Sequence, residues 1–153
     1  MNESQPIIAV IGAGQCESAI YQLALKVGAE IAERGAILVC GGLGGVMEAA
    51  AKGASSAGAL TVGILPGPST NSANSFIKIP IATDMGQARN VIIAHTADAL
   101  VAVAGGAGTL SEIGHALKIG KPVVGLQTIP NLRGVHYEDN AQEAVVRVFE
   151  LIN

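Results

Sequence analysis

The stretch "ALVAVAGGAGTLSEIGHAL", residues 99–117, decides the fold. An unbroken apolar run meets three glycines, Gly105, Gly106 and Gly108, and a second apolar pattern follows from Leu110. A run without polar residues is what a strand covered on both faces of a parallel sheet requires. Glycines at its carboxyl end, followed by a helix, make a turn whose backbone N–H groups approach a ligand without a Cβ in the way. Thr109 and Glu112 have the T-x-x-E spacing of a capping box, which places the helix start beside them. The same Glu112 also fits a chemical role. First-turn N–H groups would keep it ionised, and an ionised carboxylate beside a ribose could accept its hydroxyls, stabilise positive charge or orient water. Spacing leaves both readings open.

Outward from this unit the chain alternates strand and helix. "PIIAVIG" (6–12), "AILVCGG" (36–42), "ALTVGILP" (59–66) and "KPVVGLQ" (121–127) read as strands, and "FIKIPIAT" (76–83) as a short strand with Pro80 marking an edge. Ile20, Leu23, Val27 and Ile31 recur at helical spacing between Ser18 and Arg34, and Gly35 stops that helix. Further helices are expected over "LGGVMEAAAKGASSAG" (43–58), from "DMGQARNVIIAHTAD" (84–98) with Ala88, Ile92 and His95 turned inward, and up to Ile119. "NAQEAVVRVFELI" (140–152) closes the chain as a helix with Asn140 and Glu143 spaced as a capping box. "GPSTNSANS" (67–75) reads as a polar loop long enough to arch over a site, and "TIPNLRGVHYED" (128–139) has little pattern. No repeat or linker divides residues 1–153, so the expectation is one α/β domain, a doubly wound, Rossmann-like three-layer sandwich around a mainly parallel sheet.

In such sheets ligands bind beyond the carboxyl ends of the strands. Three glycine clusters fall at those ends: Gly12 with Gly14, Gly41 to Gly45 (including Gly42), and Gly105 to Gly108. One cluster is explained by the need to turn tightly; three at one sheet edge point to a bound anion. "GAGQCES" lacks the third glycine of G-x-G-x-x-G, the second strand ends without a carboxylate for a ribose, and no Walker A loop is present. The expected ligand is therefore a singly phosphorylated compound held mostly by backbone, such as a nucleoside monophosphate.

Half of the 153 residues are apolar and 14% are charged, which predicts a surface partly covered by a second subunit. A net charge of −3 argues against nucleic acid held through its phosphates. Cys16 and Cys40 make neither a disulfide framework nor a CxxC pair and read as filler near the ends of early strands. The N-terminus has no basic region and carries Glu3, so it does not read as a signal peptide; the apolar stretch near 91–104 contains His95 and Asp98 and does not read as a membrane span. A cytoplasmic protein is expected.

Arg89 could clasp a phosphate bidentately, hold Glu112, or sit on the surface beside Asp84. Asn90 could donate to a ligand or face a subunit. His95, His115 and His136 do not cluster with carboxylates at metal-ligand spacing, so no metal is expected; His115 lies one helical turn beyond Glu112. No G-x-S-x-G elbow offers a covalent nucleophile.

Residues 104–112, A-G-G-A-G-T-L-S-E, resemble the P-G-G-x-G-T-x-x-E signature of the LOG proteins, the "lysine decarboxylase-like" superfamily that includes DprA/Smf-related Rossmann domains. Gly41, Gly42, Gly45 and Met47 match its G-G-x-x-G-x-M feature, and Arg89-Asn90 corresponds to its Arg-Lys pair. LOG enzymes are phosphoribohydrolases that release a base from a nucleoside 5′-monophosphate. The resemblance implies Arg89 and Glu112 as the catalytic pair if this chain is an enzyme. Ala104 and Asn90 depart from the LOG pattern, and with "GQARNVI" and "GTLSEIGHALKIGKPVV" they resemble the branch of molybdenum cofactor carrier proteins. That branch implies a phosphorylated pterin as ligand, no cofactor required for catalysis, and a dimer or tetramer. The leading expectation is a carrier or sensor of a phosphorylated small ligand, a nucleotide or molybdopterin-like cofactor. A LOG-like phosphoribohydrolase is the alternative, and a DprA-like role on nucleic acid is disfavoured by the acidic balance.

Overall fold

The computed structural model describes residues 4–153, so Glu3 lies outside the described residues. Seven strands form one parallel sheet: β1 (Ile7–Gly12), β2 (Ile37–Cys40), β3 (Thr61–Leu65), β4 (Ile79–Ala82), β5 (Ala99–Val103), β6 (Val123–Leu126) and β7 (Val135–Tyr137). Their order is β4-β3-β2-β1-β5-β6-β7. The central pair runs in register from Ile8 opposite Ala99 to Gly12 opposite Val103.

Alternate strand residues feed two cores, as the pleat demands. Ile8, Val10, Leu38, Cys40, Val101 and Val103 pack with α1 (Ser18–Glu33), α2 (Val46–Ser56) and α5 (Ala141–Ile152). Ala9, Ile11, Val39, Leu100 and Ala102 pack with α3 (Arg89–Thr96) and α4 (Ala107–Lys118). Chain direction explains the division. From β1 to β3 the strands advance one way, whereas α3 carries the chain back past β1 to β5. Right-handed crossovers then place α3 and α4 on the opposite face. The reversal between β1 and β5 opens a crevice at their carboxyl ends, the topological switch point of a doubly wound sheet.

Helices α1 and α2 touch through backbone. A Cβ on Gly28 would come within 2.0 Å of the Ala50 carbonyl oxygen, and one on Gly53 within 2.0 Å of the Leu25 carbonyl oxygen. These mid-helix glycines weaken each helix slightly but allow an approach that no larger residue permits.

Several local expectations are corrected. The pattern-poor segment 128–139 contains β7, an edge strand paired in parallel with β6. The 67–75 loop adds no residue to the cleft lining; Asn74 ties it to the turn after β2 by donating to the carbonyls of Gly42 (3.3 Å) and Leu43 (2.8 Å). Helix α3 is preceded by a 3-10 turn, Gly86–Ala88, and this tighter winding shifts its buried face by one residue. Arg89, Asn90, Ile93 and Ala94 are buried there, while Ala88 and His95 are exposed and Ile92 is half-buried. Leu23 is likewise only half-buried, Ala24 taking the inward position on α1. At α5, Asn140 accepts the Glu143 N–H (2.9 Å), the helix-start half of its capping box. Pro80 does mark an edge: β4 is the outermost strand on its side, with Ile79 and Ile81 exposed.

Candidate functional site

The crevice is a cleft of about 300 Å³, near the lower end of small-molecule sites. Of the residues singled out from sequence, it brings together Gly12, Gly14, Gly41, Met47, Arg89, Asn90, Gly106, Gly108, Thr109 and Glu112. Gly42, Gly45 and Gly105 do not line it. They stand behind it as backbone hinges with φ of 79°, 62° and 96°. Gly105 has a further reason to lack a side chain, because a Cβ there would lie 2.2 Å from the Thr109 hydroxyl.

Each turn contributes differently. The Val46 N–H at the start of α2 is consumed by the Ala13 carbonyl (3.0 Å), which ties the first turn to the second. At α4 the first backbone bond runs from Leu110 N–H to the Gly106 carbonyl (2.9 Å). The N–H groups of Ala107, Gly108 and Thr109 precede that bond and have no partner within the helix. They belong to residues that line the cleft, so the anion-attracting end of α4 faces it.

The capping-box reading of Thr109 and Glu112 is overturned. Helix α4 starts at Ala107 with Gly106 as its N-cap and no side-chain cap, so Thr109 already lies inside the helix and Glu112 a full turn further. Glu112 is therefore beyond the first-turn amides that were expected to keep it ionised. Burial pushes its carboxyl up to about 7, with Arg89 acting in the opposite direction. Its side chain faces the cleft and, among the described residues, takes part in no ion pair.

Arg89 is not a surface residue beside Asp84; only 6% of it is exposed. Its Nε donates to the Ile64 carbonyl (2.8 Å), one terminal nitrogen to the Gly41 carbonyl (3.4 Å), and the other to the Asn90 side-chain oxygen. Burial lowers its pKa from the ordinary arginine value, while Glu112 and Cys40 counteract. Two of its five N–H donors lie outside these bonds. Gly41 leaves the room this requires: a Cβ there would sit 2.7 Å from an Arg89 nitrogen and 2.6 Å from the Met47 sulfur. Asn90 lies 4% exposed between Arg89 and Gln87, to which its amino group donates (3.4 Å).

Gln87 and Leu43 line the cleft without having been singled out from sequence. In a helix running through residue 87, Gln87 would face away from Arg89, whereas the 3-10 turn brings positions 87 and 90 into line. Cys40 is fully buried and both cysteines are free. Its sulfur accepts the Gly42 N–H (3.4 Å), and burial pushes the thiol up to about 11, so it is inert filler at the turn. The three histidines are exposed and outside the cleft, including His115. Among the described residues no cluster of His, Cys, Asp and Glu suits a metal ion, and no helix is long and apolar enough to cross a membrane.

Known proteins share this fold. The SLOG cluster4 family matches residues 5–150. The chain belongs to that family. An uncharacterized protein of Archaeoglobus fulgidus is 54% identical over 138 residues, covering 90% of this chain and 91% of that one. The molybdenum cofactor binding protein of Rippkaea orientalis superposes with a TM-score of 0.93 at 34% identity, covering 99% of this chain and all of that one. The molybdenum cofactor carrier protein of Chlamydomonas reinhardtii gives a TM-score of 0.90 at 39% identity, covering 97% and 99%. The fold alone, at 18% identity, extends to DNA processing protein A of Streptococcus pneumoniae, with a TM-score of 0.74 over 93% of this chain and 61% of that one. In this SLOG chain the position of the LOG motif proline is held by Ala104, whose φ is 51°. Proline is locked near −65°, so the turn as built here rejects it.

Proposed function

We propose that this SLOG protein binds a phosphorylated small molecule, a nucleotide or a molybdopterin-like cofactor, as a cytoplasmic carrier or sensor. The observation that carries the reading is Arg89: a buried guanidinium fixed by two backbone carbonyls, in an ion pair with no carboxylate among the described residues, in one cleft with the first-turn residues of α4. Keeping a cation buried without a counter-ion is costly, and a phosphate dianion supplies one. In this arrangement the α4 amides and Arg89 hold the phosphate, Leu43 and Met47 form an apolar wall for the organic part, and Thr109 and Glu112 meet its hydroxyls. The donor set suits a phosphorylated pterin as well as a nucleotide. No histidine or cysteine lines the cleft, so the lining offers no imidazole or thiolate to a metal that such a cofactor carries. The likeness to two molybdenum cofactor proteins supports the pterin. The low charge content and the exposed Ile79, Ile81, Met85 and Leu110 support a homo-oligomer, a dimer or tetramer.

Calorimetry with AMP and adenosine tests the phosphate requirement. AMP is expected to bind and adenosine to bind at least about tenfold more weakly, and Arg89→Lys is expected to remove most of the difference, since an ammonium cannot reproduce the fork. Equal affinities for AMP and adenosine overturn the reading.

A second reading, hydrolysis of a nucleoside monophosphate to base and ribose 5-phosphate, is favoured by one observation. Glu112, with its carboxyl near 7, shares the cleft with Arg89 and is suited to exchange a proton at neutral pH. There Arg89 positions the phosphate, and Glu112 as carboxylate supports positive charge at the sugar and receives a proton from the attacking water. The C–N bond pair leaves with the base, which takes that proton from Glu112, so the products are the neutral base and ribose 5-phosphate and the carboxylate is restored. Adenine release from AMP that disappears in Glu112→Gln, with AMP binding retained, establishes this reading; equal turnover in the variant sinks it.

A further inference from the structure

The bonds that hold Arg89 also fix the polarity of the amides beside it. A guanidinium only donates. The Asn90 atom that receives the Arg89 N–H is therefore its oxygen, and its Nδ2 amino group faces the other way. That group donates to Gln87 Oε1 (3.4 Å), which leaves the Gln87 Nε2 amino group at the outer end of the relay. Among the described residues Nε2 donates to no protein acceptor, and Gln87 lines the cleft with the apolar side chains of Leu43 and Met47. No aromatic ring lines the cleft, so a planar ligand cannot be selected there by ring stacking. Its orientation must come from edge hydrogen bonds.

Resting on the reading of this cleft as a phosphate-ester site, we propose that Gln87 selects ligands whose ring carries a carbonyl oxygen, an oxopurine or a pterin, over rings with an amino group in that place. The relay presents N–H donors outward because its inner end is a residue that cannot accept. A ring carbonyl accepts from Nε2. A ring amino group would face it donor to donor, leaving both groups without the partners they had in water.

The test is the dissociation constant of the full chain for GMP, IMP and AMP at neutral pH. IMP isolates the carbonyl, since it shares it with GMP but lacks the 2-amino group of guanine. GMP and IMP are expected to bind about tenfold more tightly than AMP, the scale of one hydrogen bond gained against one mismatched. Gln87→Leu, at an exposed position, is expected to bring the ratio close to one. Equal affinities in the wild type, tighter binding of AMP, or a preference that survives Gln87→Leu overturns the inference and leaves the phosphate site standing. Failure of all three monophosphates to bind at millimolar concentration overturns the nucleotide form of the phosphate reading, and the inference with it.

Discussion

Arg89 and Glu112 line one cleft from successive helices, both are more than nine-tenths buried, and they form no ion pair with each other. Two opposite charges in such a site ordinarily close on one another. Here Arg89 is held back by the carbonyls of Ile64 and Gly41, which leaves Glu112 without a bonded partner among the described residues. The separation keeps the guanidinium open for a ligand, and its cost falls on the carboxylate.

That cost depends on pH, with a definite sign. Glu112 has its folded-state pKa raised from 4.5 to about 7. Between these values the folded protein holds a proton that the unfolded chain has lost, so stability declines as pH rises through this window and is level above it. Glu112→Gln removes the burden. Thermal melts should show the variant gaining on wild type from pH 4.5 to 7, by on the order of 3 kcal/mol at full extent, and holding its advantage at pH 8. A variant no more stable than wild type at pH 8 contradicts this.

Gly41 tests how Arg89 is placed. An added Cβ would crowd the ends of two flexible side chains, Arg89 and Met47, rather than backbone. Gly41→Ala is therefore expected to fold, lose about 1–2 kcal/mol in urea titration, and bind AMP about tenfold more weakly because the guanidinium has moved. Unchanged affinity would show that the guanidinium position does not matter to binding.

Two helical glycines should respond with opposite signs. Gly28→Ala drives a methyl onto the Ala50 carbonyl and is expected to cost about 3 kcal/mol or more, outweighing the better helix propensity. Gly114 on α4 has nothing within 4 Å of an added Cβ, and Gly114→Ala should stabilise by up to about 1 kcal/mol. Chemical denaturation of the pair separates a packing requirement from a propensity effect.

Ala104 carries the left-handed strain of the β5 turn. Ala104→Gly relieves it and should raise stability by about 1 kcal/mol. Ala104→Pro, which would restore the LOG residue, forces φ to the opposite sign and should lower the melting temperature sharply. A tolerated proline would mean that the turn takes the other conformation at little cost.

The features visible in sequence are those that full burial writes plainly. β1, β2, β3, β5 and β6 lie inside the sheet, so their apolar runs and the glycines after β1, β2 and β5 identify the Rossmann-like sheet and its binding edge. β7 escaped notice because it is three residues long at an edge, with His136 and Tyr137 exposed. The start of α4 was misplaced because Gly106 leaves no side-chain signal as a cap, whereas Thr109 and Glu112 imitate one. The face of α3 was misread by one residue because a 3-10 turn winds ahead of it, and Gln87 was missed for the same reason. Arg89 and Glu112 were legible as residue types in a motif; that they stand apart depends on backbone carbonyls from β3 and the turn after β2, which no local pattern encodes.

The most direct test of the central claim is mass spectrometry of the small molecules released on denaturing freshly purified protein. The account predicts a phosphorylated nucleotide or pterin at close to one per chain, lost or strongly reduced in Arg89→Lys. A protein that carries no phosphorylated compound and takes none up from a mixture of nucleoside monophosphates would contradict it.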